Sequence, residues 1–294
     1  MTPLLAQETS PEVLRVDPRQ TVCETCIMIT IVGERLNSTR RAVAEAIAAR
    51  NAEFVRKEAM AQTQAGADLL DVNAAARVSL ELEDLAWMIR VIQEAVETPL
   101  CIDSPDPKAI ATGIEAAKGE VMVNSITADP ERAKLILPLV RERGARVVGL
   151  TMSEAGTPNT AAERRDLAAA IVDLAAKHDI PADRVYIDAL VRPVSTEAAQ
   201  GREFLESLRL IKSTVPGAHL ICGLSNVSFG LPNRHLLNRT FLAMAMAMGL
   251  DAAIVDPLDA RLMGTIRAGC ALLEMDEYCM GYLSAHREGR LAER

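Results

Sequence analysis

The sequence predicts a single (β/α)8 barrel, in which eight parallel strands form a closed ring inside a layer of helices. Three observations support this fold: short apolar runs recur along the chain, a helical stretch follows each of them, and there are eight of each. Apolar strands that alternate with helices indicate a parallel sheet covered on both faces. Eight such units are typical of a closed barrel, and the length of 294 residues suits one.

The strands are predicted from short runs of β-branched and other apolar residues, which are typical of buried strands. In chain order they are Ile27–Gly33, Asp68–Val72, Leu100–Ile102, Val121–Val123, Arg146–Leu150, Arg184–Ile187, His219–Leu224 and Ala252–Val255.

The helices are predicted from their spacing and from the residues at their ends. Asp106-Pro107 and Asp129-Pro130 each combine a capping side chain with a proline in the first turn. The glycines of "QAGADLLDV" and "ERGARVVGL" indicate helix ends just before a strand. The predicted helices are Arg41–Ala65, Glu81–Glu97, Pro107–Ala117, Pro130–Arg143, Ala161–His178, Glu197–Thr214, Leu236–Met248 and Asp259–Glu274.

A doubly wound open sheet is the alternative architecture. Such sheets usually carry a glycine-rich phosphate-binding turn after the first strand. Here that turn reads "GERLNS" and has no second or third glycine, so the pattern favours the barrel.

The N-terminal residues 1–26 are predicted to be an irregular extension, and the barrel is predicted to occupy residues 27–294. The extension contains Pro3, Pro11 and Pro18 and shows no periodic pattern. It also contains an isolated Cys23-x-x-Cys26 pair, and without a second pair this is weak evidence for a metal site. The four histidines lack the spacing of zinc ligands, so no metal is predicted.

Composition excludes several classes of partner. The net charge is −8 and aromatic residues make up only 3% of the chain, which argues against nucleic acid. The longest apolar run, Phe241–Leu250, is too short to cross a membrane, and Met1–Gln7 does not resemble a signal peptide. Cysteines within predicted strands indicate reduced thiols, as expected in the cytoplasm.

A ring of polar residues is predicted at one end of the barrel, because nearly every strand is followed by Asp, Asn, Glu, Ser or Thr. Each of these side chains could cap a helix on its own, but the carboxyl ends of barrel strands meet on the face that holds active sites. The strand-end residues are Glu34, Asn37, Asp71, Asn73, Asp103, Ser104, Asn124, Ser125, Thr151, Met152, Asp188, Ser225, Asn226 and Asp256.

The chemistry of this ring favours a ligand rich in N–H donors. The strand ends supply carboxylates and amides but no lysine, and "GLSNV" does not match the GxSxG motif of hydrolases. A carboxylate accepts two parallel N–H bonds, and an amide both donates and accepts. A fused heterocycle with an amino-pyrimidinone edge matches this set of groups.

Several stretches closely resemble the methyltetrahydrofolate:corrinoid methyltransferases, a pterin-binding group related to dihydropteroate synthase and to the folate domain of cobalamin-dependent methionine synthase. They are "IVGERLN", "LCIDS", "VNSIT", "GLTMSEAGTP", "YIDALVRP" and "CGLSNVSFGLPNRHLLNRTFLAMAMAMGLDAAIVDP". The similarity runs from about Ile31 to about Tyr282. It implies a TIM barrel that moves a methyl group between N5 of 5-methyltetrahydrofolate and the cobalt of a corrinoid carried by a partner protein.

The resemblance also implies roles for individual residues. Asp103, Asn124 and Asp188 are expected to hold the pterin ring, and Asn226 is expected to lie beside N5. Arg234 is expected to contact the folate or to shape its loop. With Asp103, Asn226 would stabilise a protonated N5 during an SN2 displacement; Glu34, Asn37, Asp71, Asn73 and Ser225 are secondary candidates. Phe229 departs from the pattern, since some relatives carry a polar residue there.

Two other functions stay open at this point. Dihydropteroate synthases use a lysine near the seventh strand, where this chain has Leu224-Ser225-Asn226. A non-catalytic folate-binding subunit would also keep the ring of polar residues.

The stretch "RTFLAMAMAMGL" is apolar almost all round, which favours a homodimer interface over a helix wedged between neighbours.

Overall fold

Eight parallel strands form a closed barrel in the computed structural model, which describes residues 29–291. Each strand pairs with the next in sequence, and β8 pairs with β1. The predicted (β/α)8 architecture is therefore confirmed. The strands are β1 Thr30–Asn37, β2 Leu69–Asn73, β3 Leu100–Asp103, β4 Val121–Thr127, β5 Arg146–Leu150, β6 Val185–Asp188, β7 His219–Gly223 and β8 Ala252–Val255.

The helices surround the strands, and their ends follow the predicted caps. Asp106 and Asp129 accept hydrogen bonds from the amides of Lys108 and Glu131, both at 2.9 Å, and a proline begins each helix. The helices are α1 Arg41–Ala48, α2 Ala52–Gln64, α3 Glu81–Gln93, α4 Pro107–Ala116, α5 Pro130–Arg143, α6 Ala161–Lys177, α7 Gln200–Thr214, α8 Arg234–Ala247, α9 Ala260–Leu272 and α10 Met280–Arg287.

The prediction of one helix over Arg41–Ala65 was wrong. Arg50 adopts a left-handed φ of 52°, and the Asn51 side chain accepts a hydrogen bond from the amide of Phe54 at 3.1 Å. Asparagine caps a new helix more readily than it continues an old one. The stretch is therefore divided into α1 and α2.

Several other element ends differ from the prediction. The strand β4 continues past Val123 to Thr127, so Asn124 and Ser125 lie within it. The helix α10 was not predicted. The first strand was expected to end at Gly33, but β1 continues to Asn37 with a shift in its pairing to β2 between Gly33 and Leu36. Glu34 and Asn37 thus belong to the strand itself.

The interior of the barrel explains why polar residues collect at one end. One apolar residue from each strand fills the interior: Val32, Leu69, Cys101, Met122, Val148, Tyr186, Ile221 and Ala252. Side chains two positions apart on a strand point the same way. The next residues facing inward are therefore Glu34, Asp71, Asp103, Asn124, Leu150, Asp188, Gly223 and Ile254. The apolar layer closes the barrel below, and a mostly polar layer lies above it.

Two predictions concern residues before position 29. The irregular extension 1–26 and its Cys23–Cys26 pair lie outside the described residues, as do the first two positions of the predicted first strand. Within residues 29–291, no helix is both long enough and apolar enough to span a bilayer.

Candidate active site

A cavity of about 650 Å³ opens at the carboxyl ends of the strands. This is the face on which barrel enzymes place their active sites. The cavity is lined by Glu34, Asn37, Thr39, Arg40, Asp71, Asp103, Asn124, Gly223, Ser225, Asn226, Arg234, His235, Asn238, Ile254, Asp256, Asp259 and Leu262.

Asp103, the last residue of β3, is held by two amides. Asn73 Nδ2 donates to Asp103 Oδ2 at 3.1 Å, and Asn37 Nδ2 approaches the same oxygen at 3.4 Å. The Ser38 hydroxyl donates to Asn73 Oδ1 at 2.7 Å, which orients the Asn73 amide. Burial raises the pKa of Asp103 to about 6, and the hydrogen bond from Asn73 opposes that shift. The carboxylate is ionised at neutral pH and can accept N–H donors.

Asp71 lies deeper in the barrel and is only 2% exposed. Asn124 Nδ2 approaches Asp71 Oδ1 at 3.4 Å. This contact holds the Asn124 carboxamide with its nitrogen toward Asp71. Burial, followed by the nearby charge of Asp103, raises the pKa of Asp71 well above its usual value. Ionisation of Asp71 and Asp103 at the same time is therefore unfavourable, because it would place two negative charges close together in a buried site.

Asp188 ends β6 and is buried, and it does not line the cavity. The amide of Leu190 donates to Asp188 Oδ1 at 2.7 Å. Burial raises the pKa of Asp188 to about 6; the backbone N–H groups of Leu190 and Gly223 and the charge of Arg164 oppose the shift. Asn73 does not line the cavity either, but its amide donates to Asp103, which does.

Glu34 and Ser225 join the first strand to the loop after the seventh. The Ser225 hydroxyl donates to Glu34 Oε1 and Oε2 at 3.0 and 3.2 Å. Burial raises the pKa of Glu34, and the bond from Ser225 opposes this effect. The next residue, Asn226, is exposed and lines the cavity.

Arg234 stabilises the loop after β7, which carries Ser225 and Asn226. Its Nη2 donates to the Ser225 carbonyl at 2.6 Å, and its Nε donates to Ser228 Oγ at 3.0 Å. The Ser228 hydroxyl in turn donates to Asn238 Oδ1 at 2.7 Å. These contacts shape the loop, and because Arg234 also lines the cavity, both roles expected for it stay predictions.

Other strand-end residues support the site from outside. Ser104 Oγ donates to Glu81 Oε1 at 2.5 Å, and its oxygen accepts from the amide of Asp106, so it acts as a local cap. Thr151 is buried, and its hydroxyl donates to the Asp188 carbonyl at 3.1 Å. Their burial separates them from the cavity, although they follow strands as the cavity residues do.

Sequence reasoning missed several residues at the site. Thr39, Arg40, His235, Asn238 and Asp259 line the cavity from loops and first helical turns. His235 Nδ1 lies 2.9 Å from Asp259 Oδ2 at the entrance. A search that included the loop after each strand and the first two turns of the following helix would have found them.

One buried residue outside the cavity was also missed. Arg164 in α6 is fully buried, and its Nη2 donates to Gln200 Oε1 at 2.6 Å. Its Nε and Nη1 have no hydrogen-bond partner in the described part of the chain. Its positive charge acts on Asp188. No sequence motif indicated this arrangement.

Residues 29–291 contain no group of three or more His, Cys, Asp and Glu side chains arranged to hold a metal ion. The polar groups that converge on the cavity are carboxylates, amides, hydroxyls, two arginines and the imidazole of His235. Such a set can bind a neutral or cationic ligand through its N–H donors.

Comparison with known proteins places this arrangement in context. A model of the pterin binding enzymes matches residues 33–256. A methylcorrinoid:tetrahydrofolate methyltransferase of Eubacterium limosum is 39% identical over 263 residues, which is 89% of this chain and 97% of the relative. A methionine synthase of Mycobacterium tuberculosis is 30% identical over 240 residues, covering 77% of this chain but 20% of that enzyme.

Solved structures agree on the fold. A Xanthomonas albilineans dihydropteroate synthase in complex with indole-2-carboxylic acid and 6-chloroguanine superposes with a TM-score of 0.66 and 19% identity. The match covers 85% of this chain and 93% of that one. At this level of identity the likeness concerns the barrel alone.

Proposed function

Because the chain belongs to the pterin binding enzyme family, we propose that it transfers a methyl group between N5 of 5-methyltetrahydrofolate and the cobalt of a corrinoid on a partner protein. The name of the Eubacterium limosum relative, which is similar over nearly its whole length, supports this reaction. The observation that carries the proposal is the meeting of Asp103, Asn124 and Asn226 in one cavity.

The pterin ring is bound through its N–H donors. Asp103 and Asp188 offer carboxylates, and the orientation of Asn124 leaves its carbonyl oxygen for the ligand. Charge-assisted bonds to a carboxylate are about twice as strong as neutral ones. Asp188 is buried and does not line the cavity. Its contact with the pterin therefore requires that the ligand or the neighbouring β6–α7 loop expose its carboxylate.

Methyl transfer needs help at N5 because a tertiary amine is a poor leaving group. In the direction from folate to cobalt, the electron pair of Co(I) forms the Co–C bond while the C–N5 bond breaks and its electrons remain on N5. A proton from solvent on N5 makes this departure easier. The Asn226 side-chain oxygen accepts the N5–H⁺ bond, and the negative charge of Asp103 raises the pKa of N5.

The position of Asn226 suits this role. It is exposed at the mouth of the cavity, whereas Asp71 and Asp188 are buried below or behind it. The pterin can therefore occupy the acidic part of the site with N5 and its methyl group near the entrance. An acceptor as large as a corrin can then approach from outside.

A spectroscopic assay tests the proposal. The protein is mixed with 5-methyltetrahydrofolate and cobalamin reduced to Co(I), and formation of methylcobalamin is followed by its absorbance; methylcobalamin and tetrahydrofolate test the reverse direction. Turnover in either direction supports the function. Folate binding without turnover in both assays would indicate a binding subunit, and condensation of a pterin diphosphate with 4-aminobenzoate would indicate a dihydropteroate synthase.

We also propose that the chain forms a homodimer through α8 and its neighbours. Helix α8 contacts α9, and α9 contacts α10. Exposed apolar side chains occur on all three helices: Leu237, Met244, Leu272, Met280 and Leu283. Several exposed apolar side chains on neighbouring helices are typical of an interaction site.

A further inference from the structure

We propose that Phe229 is the contact residue for the corrin ring at the mouth of the cavity and so helps to select the methyl acceptor or donor. This inference rests on the proposed methyl transfer. It concerns the partner side of the reaction, whereas the acidic and amide residues concern the folate.

Phe229 is unusual among the aromatic residues of the chain. All four phenylalanines lie within residues 29–291, and Phe229 is the one whose side chain is exposed, at 64%. Phe204 and Phe241 pack together in the core, with ring centroids 5.3 Å apart. Large exposed aromatic side chains are often energetic anchors of binding surfaces.

The backbone of Phe229 is held in place. Its amide donates to the Asn226 carbonyl at 3.1 Å, and its own carbonyl accepts a bond from Ser195 Oγ at 2.7 Å. The ring is thus exposed on a loop tied at both sides. A side chain presented in this way loses less entropy on binding than one on an untethered loop.

The position of Phe229 links it to the reaction. It lies three residues after Asn226, and the hydrogen bond between the two residues keeps their loop compact. Two other exposed apolar side chains adjoin residues that line the cavity: Leu236 follows His235, and Leu258 lies between Asp256 and Asp259. We call Phe229, Leu236 and Leu258 the apolar rim.

A corrin ring matches this rim better than folate does. The pterin binds by its N–H donors to the carboxylates inside the cavity, where Asp71 and Asp103 lie. A corrin is broad and nearly planar, and its ring face is apolar. When its cobalt comes within bonding distance of a methyl group beside Asn226, the rest of the ring extends over the surrounding residues. A flat aromatic side chain next to Asn226 provides a stacking surface for it.

The experiment compares Phe229→Ala with the matched control Tyr278→Ala. Tyr278 is also an exposed aromatic, at 84%, but it follows α9 at the opposite end of the barrel. Two quantities are measured for each protein with free cobalamin as the probe: the Kd of methylcobalamin for the folate-free enzyme, in which no methyl transfer can occur, and the KM for cobalamin in methyl transfer. The Kd of tetrahydrofolate is measured alongside.

We expect Phe229→Ala to raise the Kd and the KM for cobalamin on the order of tenfold, the effect of losing an aromatic anchor. The Kd of tetrahydrofolate should stay within about twofold of wild type, Phe229→Leu should recover part of the loss, and Tyr278→Ala should leave all values unchanged. Unchanged cobalamin binding in Phe229→Ala, or an equal loss of folate binding, would overturn the inference.

The inference and the proposed function fail differently. If the wild-type protein transfers methyl groups but Phe229→Ala does so with an unchanged KM for cobalamin, only the role of Phe229 is wrong. If wild type binds no cobalamin and transfers no methyl group, both are wrong. A change of oligomeric state in Phe229→Ala, measured by sedimentation, would assign the rim to contact between copies of the chain instead.

Discussion

The hydroxyl of Ser225 bridges both carboxylate oxygens of Glu34, and these two residues are 191 positions apart in the sequence. The contact joins β1 to the loop that carries Asn226. Since Arg234 also binds the Ser225 carbonyl, this one serine connects the start of the barrel, the loop after β7 and the first turn of α8.

The Glu34–Ser225 contact should position Asn226. We expect Glu34→Ala to lower kcat on the order of tenfold, because a hydrogen bond to a charged group contributes about 1.5–3 kcal/mol and its loss loosens the loop. Ser225→Ala should have a similar effect, and the double variant should be no worse than either single one. Steady-state methyl transfer measures this, and losses that multiply in the double variant would show that the residues act independently.

Asn226 itself should matter for chemistry more than for binding. We expect Asn226→Ala to lower kcat by about 10²–10³, the loss seen when a preorganised partner of a developing charge is removed. The Kd of 5-methyltetrahydrofolate should change only a few fold, because Asp103, Asp188 and Asn124 remain. Full kcat with intact folate binding would contradict the role assigned at N5.

Folate affinity should depend on pH. The pKa values of Asp103 and Asp188 are both raised to about 6 in the free protein. Only the ionised carboxylates accept two N–H bonds, so affinity should be high above pH 6 and fall as the pH drops through 6. Titration calorimetry between pH 5 and 8 measures this. Asp188→Asn should bind more weakly at high pH and should show a shallower pH dependence, because only Asp103 still titrates near pH 6. A pH-independent Kd in wild type would argue against carboxylate recognition.

Arg164 should set the position of that pH curve. Its buried charge favours the ionised form of Asp188. The neutral substitution Arg164→Gln should therefore raise the pKa of Asp188 and move the midpoint of folate binding to higher pH. A uniform loss of affinity with an unmoved midpoint would mean that Arg164 acts only through packing.

The dimer can be tested on α8. Met244 is exposed on this helix, and Met244→Glu should place a charge in the proposed interface. We expect sedimentation velocity to show a dimer for wild type and a monomer for the variant. Leu135→Glu, on the exposed side of α5, is the matched control and should remain dimeric. A monomeric wild type would refute the interface.

Local sequence patterns were enough to predict the barrel and most of its polar ring. A continuous apolar run indicates a strand that is buried on both faces. An Asp before a proline indicates the start of a helix, and this signal depends only on neighbouring residues. For the same reason the strand-end Asp, Asn and Glu residues could be identified as one set. The error in the first predicted helix also has a local cause, because Asn51 caps a new helix within a stretch that has the composition of a single helix.

The tertiary structure alone decided how those residues work together. Closing the barrel brings β8 beside β1 and Glu34 beside Ser225, and no local pattern specifies a contact between residues so far apart. The same closure buries Asp71 and Asp188 more deeply than Asn226 and places the charge of Arg164 near Asp188. A pKa depends on how much water a group loses and on which charges lie near it. Both are properties of the folded chain, whereas the residue types and their order along the strands are properties of the sequence.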